Sequence, residues 1–219
     1  MSQKHTQLCY LLLPSEDQIR IKEALRLLIL IFWSRDGKKD WEELVYTSKS
    51  VWMSLKDIKD LKVSSLIQGI DTILKDYSHQ DLNRELENEF VRIFINDLSG
   101  VSAHLYHSYY YNNEKLLMKE PAIEMSRLLE MAGMDIDQGI SEPPDHLCIE
   151  LEYLYHLLDN SDIHDDPNFQ DHIQKYTLEF MLPWVDELQR RIPETLPALF
   201  FSQTALAMNS LLAFLGKTD

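Results

Sequence analysis

The chain has 219 residues, with 21 Lys or Arg against 36 Asp or Glu, which gives a formal net charge of −15 at pH 7. This charge argues against nucleic acid and anionic membrane surfaces as partners, because both bind through clusters of basic side chains, whereas a basic peptide would be attracted. Since 45% of the residues are hydrophobic and only six are glycine, the composition favours a folded, helical protein without Gly-rich phosphate-binding loops.

Apolar residues recur at helical spacing along most of the chain, and no stretch alternates as a β-strand would. The predicted helices run, in chain order, from Ser15 to about Asp36, Trp41 to Leu55, Val63 to Tyr77, Ser78 to Phe94, Glu120 to Gly133, Pro143 to Leu158, Asp166 to Phe180 with a kink or break at Pro183, and Leu199 to Leu215. The sequence therefore predicts an all-α fold, a compact bundle of about eight to nine helices in one domain covering residues 1–219. A finer expectation is two helical subdomains, 1–133 and 143–219, joined by a hinge at 134–142.

Particular residues predict where helices begin and which of them is central. Ser15 and Gln18 have the spacing of a capping box, and Ser78 is placed to cap the fourth helix. Asp145 is placed to accept free backbone N–H groups at the start of the sixth helix. The last helix is apolar almost all round, which is typical of a helix at the centre of a bundle.

Two cysteines, Cys9 and Cys148, cannot form a disulfide framework, so a reducing cytoplasm is expected. The apolar run from Leu8 to Leu13 is too short for a signal-peptide core, and the run from Leu27 to Trp33 is far shorter than a membrane helix. We therefore expect no stable membrane insertion.

The common catalytic and metal-binding motifs are absent from the sequence: it has no GxGxxG, HExxH or CxxC. His104 and His107 have the spacing to share one helical turn, although a polar surface explains them better than a metal site, because no carboxylate or cysteine is adjacent in sequence. His164 and Asp165 resemble the His-Asp pair of metal phosphohydrolases, but they lie in an Asp-rich stretch that is typical of a turn. We expect no cofactor and no bound metal.

The most informative segment reads Glu-Pro-Pro-Asp-His-Leu-Cys-Ile-Glu-Leu-Glu-Tyr-Leu, residues 142–154. Helical spacing predicts Asp145, Glu152 and His156 on one stripe beside a stripe of core leucines. Such an acidic stripe edged by apolar residues would suit a groove for a basic, partly apolar peptide. A solvated helix face, with Asp145 acting only as a cap, explains the same residues.

This segment resembles the E-x-P-D-H-x-x-x-x-L-E-F-M motif of the TorD/DmsD family of cytoplasmic redox-enzyme maturation chaperones. Glu142, Pro144, Asp145, His146, Leu151 and Glu152 match the motif, with Tyr153 in place of Phe and Leu154 in place of Met. Three further elements follow the family's order: Phe90 to Phe94, then Leu105 to Tyr110 with Ser108 and Tyr110 kept, then Phe169 to His172 followed by Pro183-Trp184. The resemblance covers about residues 75–215.

The resemblance implies a non-enzymatic chaperone that binds the twin-arginine signal peptide and the large subunit of a molybdopterin oxidoreductase, and prevents export before the cofactor is inserted. It implies peptide contacts by Glu142, Pro144, Asp145, His146, Glu152, Phe90, Phe94, Tyr106, Ser108 and Tyr110. Asp145 and Glu152 would then each pair with arginine, and each charge-assisted bond would contribute about 1.5–3 kcal/mol. Phe90 and Phe94 suit the helix core equally well.

Two readings of other classes remain open at this point. One is a helical metal-dependent phosphohydrolase that uses His164 and Asp165, and the other is an acidic, ligand-binding regulator. For assembly, the short segment 134–142 predicts a monomer that can convert to a domain-swapped homodimer.

Overall fold

The computed structural model describes residues 7–33, 39–96, 100–112, 115–161 and 167–219. These ranges contain nine α-helices and no β-strand, which confirms the predicted all-α fold. The helices are α1 Ser15–Phe32, α2 Trp41–Ser54, α3 Ser64–Asp76, α4 His79–Phe90, α5 Glu120–Met131, α6 Leu147–Asn160, α7 Pro167–Lys175, α8 Leu182–Arg191 and α9 Leu199–Leu215. Within these ranges, no helix is long and apolar enough to cross a membrane.

The last helix, α9, lies at the centre of the bundle as its apolar sequence predicts. Most of its side chains are buried, and it packs against α3 and α8. Gly69 in α3 allows a close approach, because a Cβ atom there would lie 3.1 Å from Cγ of Gln203 in α9. The apolar sequence of α9 therefore correctly predicts that other helices enclose it.

The predicted break at Pro183 is also observed. A π-helical segment, Tyr176–Met181, separates α7 from α8, and Pro183 lies in the first turn of α8. Proline has no N–H to donate to the preceding turn, so regular α-helical bonding cannot pass through it unchanged.

The predicted helix caps have mixed outcomes. Ser78 caps α4 as predicted, since its side chain accepts a hydrogen bond from the backbone N–H of Asp81 at 3.3 Å. The capping box at Ser15 is wrong, because α1 begins after Pro14 and the Gln18 side chain instead donates to the Leu13 carbonyl at 3.0 Å. The cap predicted at Asp145 is also wrong, because His146 caps α6.

Helices from both predicted subdomains share one hydrophobic core. Helix α1 packs along α6, and α3 packs along α9, so two of the three most extensive helix interfaces join residues on either side of segment 134–142. The division into two subdomains with a hinge stays a prediction. Any exchange of one half between two chains would have to rebuild both of these interfaces.

Candidate functional site

The start of α6 is held by the segment that contains residues 105–107. The backbone N–H of His107 donates to the Asp145 carbonyl at 3.0 Å, and the N–H of Leu147 donates to the Leu105 carbonyl at 2.8 Å. These two bonds form a short antiparallel bridge between Tyr106 and His146. Residues that are forty positions apart in sequence are therefore fixed side by side.

Asp145 lies inside the protein and is fully buried. One carboxylate oxygen, Oδ2, accepts a hydrogen bond from the backbone N–H of Ser108 at 2.7 Å, and no described residue bonds to Oδ1. Asp145 precedes the first turn of α6, so helical spacing does not apply to it. The predicted exposed stripe is therefore wrong: Glu152 is exposed and His156 half-buried, but Asp145 points inward.

A buried carboxylate that the sequence reasoning missed lies next to Asp145. Glu150 is fully buried, and its two oxygens contact His107 Nδ1 at 3.1 Å and accept from Trp184 Nε1 at 2.9 Å. The hydroxyl of Tyr176 donates to the Glu150 backbone carbonyl at 3.0 Å. Burial raises the pKa of Glu150, and the bonds from His107 and Trp184 oppose that shift.

These contacts correct the prediction that His104 and His107 form a polar surface. His107 is buried against Glu150, while His104 is half-buried and lies against the Tyr109 ring at 3.9 Å between centroids. A signal for the Glu150 pair was present in the sequence, because Glu150 falls on the apolar face of α6 between Leu147 and Leu154. A glutamate at such a position needs a buried partner.

On the opposite side of α6, an open groove runs between α1, α5, α6 and segment 134–140. Its volume is about 540 Å³. The apolar side chains that line it are Ile29, Leu30, Trp33, Leu129, Met134, Ile136, Ile140 and Ile149, and its carboxylates are Asp135, Asp137 and Glu152. The groove is thus an apolar channel with an acidic margin, made from residues that are far apart in the sequence.

His146 connects the buried contacts at the start of α6 to this groove. Its Nδ1 accepts from the Cys148 N–H at 3.2 Å, and its ring makes edge-to-face contacts with Trp33 and Tyr106, with centroids 5.3 and 5.2 Å away. The Tyr106 hydroxyl donates to Glu142 at 2.7 Å. Burial lowers the pKa of His146 to about 4, so the ring is neutral at pH 7.

Two ionisable groups of the groove have pKa values shifted by burial. The pKa of Lys39 is lowered to about 8, and its ammonium lies over the Trp41 and Phe90 rings, 4.7 and 4.1 Å from their centroids. Burial also raises the pKa of Glu152, and the positive charge of Arg26 opposes that shift. The groove therefore presents charge in a partly desolvated setting, where ion pairs are stronger than at an open surface.

The ten predicted contact residues divide by accessibility. Glu142, Pro144, Tyr106, Tyr110 and Glu152 reach the surface, whereas Asp145, His146, Ser108, Phe90 and Phe94 are buried. Phe90 and Phe94 are 3% and 4% exposed and pack with Trp41 and Phe201, so in this conformation they are core residues and cannot contact a peptide directly. The Tyr110 hydroxyl donates to the His104 carbonyl at 2.8 Å.

Among the described residues, no group of three or more His, Cys, Asp and Glu side chains is arranged to hold a metal ion. The pair His164 and Asp165, on which the phosphohydrolase reading depends, lies outside the described residues.

Comparison with known proteins places the chain in a family. The family model for the nitrate reductase delta subunit matches residues 60–190, which is more than half of the chain. The chain is 27% identical over 187 residues to the chaperone protein TorD of Salmonella arizonae, covering 85% of both chains. It is 31% identical over 96 residues to a chaperone protein TorD of Vibrio cholerae, covering 44% of this chain and 41% of that one.

The fold is also found among solved structures. A candidate redox enzyme maturation protein from Archaeoglobus fulgidus superimposes with a TM-score of 0.50 at 20% identity, covering 88% of this chain and 93% of the other. The chain therefore belongs to the nitrate reductase delta subunit family, as a TorD-like redox-enzyme maturation chaperone.

Proposed function

We propose that this chaperone binds the twin-arginine signal peptide and the apo large subunit of a molybdopterin oxidoreductase in the cytoplasm, assists cofactor insertion and delays export. The observation that carries the proposal is the apolar groove with its acidic margin. A twin-arginine signal peptide has two guanidinium groups followed by an apolar run, and the groove offers the complement of both parts. No catalytic step is needed for this role.

The apolar run is proposed to lie along Leu30, Ile136 and Ile140. Leu30 is 59% exposed, so its side chain is available to a partner without a change in fold. Each apolar side chain buried by a peptide contributes about 25 cal/mol per Å² removed from water. This contact provides affinity without reading the peptide's exact sequence.

The arginines are proposed to meet the carboxylates at the groove margin, Asp135, Asp137 and Glu152. The half-buried Glu142 and Tyr106, which are hydrogen-bonded to each other, are proposed to extend this margin, because His146 contacts both Tyr106 and the groove residue Trp33. Charge-assisted hydrogen bonds from guanidinium to carboxylate are short and orientation-specific, which suits a motif defined by two arginines. In this proposal the buried residues do not touch the peptide. They fix the segment that contains Tyr106, and they are Asp145, Ser108 and His146.

A pair of substitutions on one helix tests the groove. Leu30→Gln shortens the apolar surface, while Ile19→Gln changes a side chain of similar exposure, 53%, that does not line the groove. Calorimetric titration with a peptide that has two arginines and an apolar run should show about fivefold weaker binding for Leu30→Gln, which corresponds to roughly 1 kcal/mol. Binding to Ile19→Gln should equal the wild type. Equal loss in both variants would contradict the groove as the peptide site.

The client and the assembly state are proposals of the same kind. Purification from anaerobically grown cells, followed by mass spectrometry, should recover the large subunit of a molybdenum oxidoreductase with the wild type and less of it with Leu30→Gln. Because segment 134–142 is short, we propose a monomer that converts to a domain-swapped dimer. If cross-linking across this segment finds one non-exchanging form at every concentration, the swap is ruled out.

A further inference from the structure

One wall of the apolar groove is an irregular segment rather than a helix. Helix α5 ends at Met131, and residues 134–137, which we call the edge segment, follow it as neither helix nor turn. Between them lies Gly133, whose φ of +67° is in the left-handed region that ends many helices. The N–H of Met134 donates back to the Leu129 carbonyl at 2.9 Å, which fixes how the chain leaves α5.

Burial alternates along the edge segment as it does along a β-strand. Met134 and Ile136 are half-buried and pack against the hydrophobic core, whereas Asp135 and Asp137 are exposed. All four residues line the groove, so the backbone of the segment borders the opening along its whole length. A period of two indicates an extended backbone whose side chains project alternately to opposite faces.

The backbone of the edge segment is largely unpaired. The N–H groups of residues 135–137 donate to no described residue, and the carbonyls of residues 134–136 accept from none. The segment ends at Asp137, whose carbonyl accepts from the Ile140 N–H at 2.8 Å and whose Oδ1 accepts from the Gly139 N–H at 2.7 Å. An extended segment with unpaired N–H and C=O groups is a template for pairing with another chain.

The first hydrogen bond of the edge segment determines which of its sides is open. In an extended backbone, alternate residues direct their N–H and C=O groups to the same side. Because the N–H of Met134 is directed to the end of α5, Ile136 shares that side, and Asp135 and Asp137 face the other way. Two N–H groups and the Asp135 carbonyl are therefore available to a peptide that lies beside the segment.

The carboxylates of the groove suit an extended peptide that has two adjacent arginines. Neighbouring residues of an extended chain project to opposite faces, so two such arginines need carboxylates in two places. The groove has carboxylates on two of its walls: Asp135 and Asp137 on the edge segment, and Glu152 on α6. Each arginine therefore has a separate carboxylate partner within the groove.

We propose that the peptide binds in the groove as an extended strand that pairs, backbone to backbone, with residues 134–137. Its alternate side chains lie against the apolar lining, and its two arginines divide between the edge segment and α6. This inference rests on the proposed function and adds the conformation in which the peptide is recognised. Backbone pairing does not depend on side-chain identity, so it can hold apolar runs of different sequence.

The first test leaves the protein unchanged and removes N–H groups from the peptide. A peptide with two arginines and an apolar run is made with one N-methyl group at each of four consecutive positions from the first arginine, and is titrated calorimetrically. Strand pairing predicts about three- to tenfold weaker binding at the alternate positions that face the edge segment, and unchanged binding between them. A bound helix uses every interior N–H, so equal losses at all positions would overturn the proposal, as would no loss at any.

A matched pair of variants removes the N–H from the protein instead. Asp135→Ala and Asp135→Pro both lose the carboxylate, but only the proline variant also loses the N–H. The proline variant should bind the unmodified peptide about three- to tenfold more weakly than the alanine variant does. Equal affinities would overturn the proposal. Thermal unfolding checks that both variants fold, and the N-methyl series decides alone if one of them does not.

Amide hydrogen exchange reports on the same pairing in the wild-type protein. Saturating peptide should slow exchange at Asp135 and Asp137 by at least about tenfold and slow it less at Ile136. No slowing at the two aspartates would overturn the proposal. If no peptide binds at all, the proposed function fails together with this inference. If the peptide binds and Leu30→Gln weakens it, but neither the alternation nor the protection is found, this inference alone is overturned.

Discussion

The two sides of α6 have different roles, although the motif in residues 142–154 supplies the carboxylates of both. Toward the core, Asp145 and Glu150 are fully buried and hold Ser108, His107 and Trp184 by hydrogen bonds. Toward the surface, Glu152 borders an open apolar groove. Three acidic residues within eight positions therefore have two functions: two fix neighbouring segments, and one is available to a partner.

This contrast shows why the residues of a motif cannot all be assigned as contacts to the peptide. A buried carboxylate is costly unless it is hydrogen-bonded, and Asp145 and Glu150 each accept at least one hydrogen bond from within the protein. Their hydrogen bonds hold Ser108, His107 and Trp184 against the start of α6. Loss of either residue would affect binding through structure, whereas loss of Glu152 would affect the partner directly.

The largest expected effect comes from breaking the buried side. Glu150→Ala leaves His107 Nδ1 and Trp184 Nε1 without an acceptor in the core, and should lower the free energy of unfolding by about 3–5 kcal/mol. Glu150→Gln should cost less, because its amide oxygen can still accept from Trp184. Denaturant unfolding measures both, with Glu130→Ala as an exposed control. An Ala variant as stable as that control would show that the network contributes nothing.

The next effect is a pH dependence that originates at His146. Its pKa is about 4 in the folded chain and roughly 6.5 in an unfolded one, so protons bind the unfolded chain preferentially between these values. The free energy of unfolding should therefore fall as the pH falls from 7.5, by about 2 kcal/mol at pH 5.

The variant His146→Asn isolates this contribution, since Asn keeps a side-chain acceptor for the Cys148 N–H but does not titrate. Urea unfolding at pH 7.5 and pH 5 should show a smaller loss in the variant than in the wild type. Parallel losses would mean that the buried imidazole is not responsible, and that other groups, such as the carboxylates, set the acid sensitivity.

The helices were predictable because each one buries an apolar stripe with a clear period, and α9 was recognisable as central. The start of α6 was not, because Pro143 and Pro144 suit a first helical turn yet precede the helix, which begins at Leu147. That shift removed Asp145 from the predicted stripe. The groove could not be predicted from the sequence either, because it combines Ile29, Ile140 and Ile149, whose proximity depends on how α1 packs on α6.

A smaller effect separates Asp145 and Glu152, for which the sequence predicts the same kind of bond to arginine. Glu152→Gln removes a charge at the groove and should weaken binding of a two-arginine peptide by about fivefold, roughly 1 kcal/mol. Asp145→Asn should change affinity little, because its amide oxygen can still accept from the Ser108 N–H. Calorimetric titration compares them, with the Glu130→Gln variant as a charge control. If Asp145→Asn weakens binding more than Glu152→Gln does, the buried carboxylate must become accessible when the peptide binds.

The smallest effect concerns the contact between the two sides. Tyr106→Phe removes the hydroxyl that donates to Glu142 and keeps the ring against His146. Both partners are half-buried, so water can replace part of the lost bond, and thermal unfolding should show a loss of about 0.5–1 kcal/mol. The Glu142 carboxylate would then be free to pair with an arginine, so peptide affinity should stay equal or rise slightly. If affinity falls as far as it does in Glu152→Gln, the Tyr106 hydroxyl itself contacts the peptide, and the bound surface extends past Trp33 onto residues 105–110.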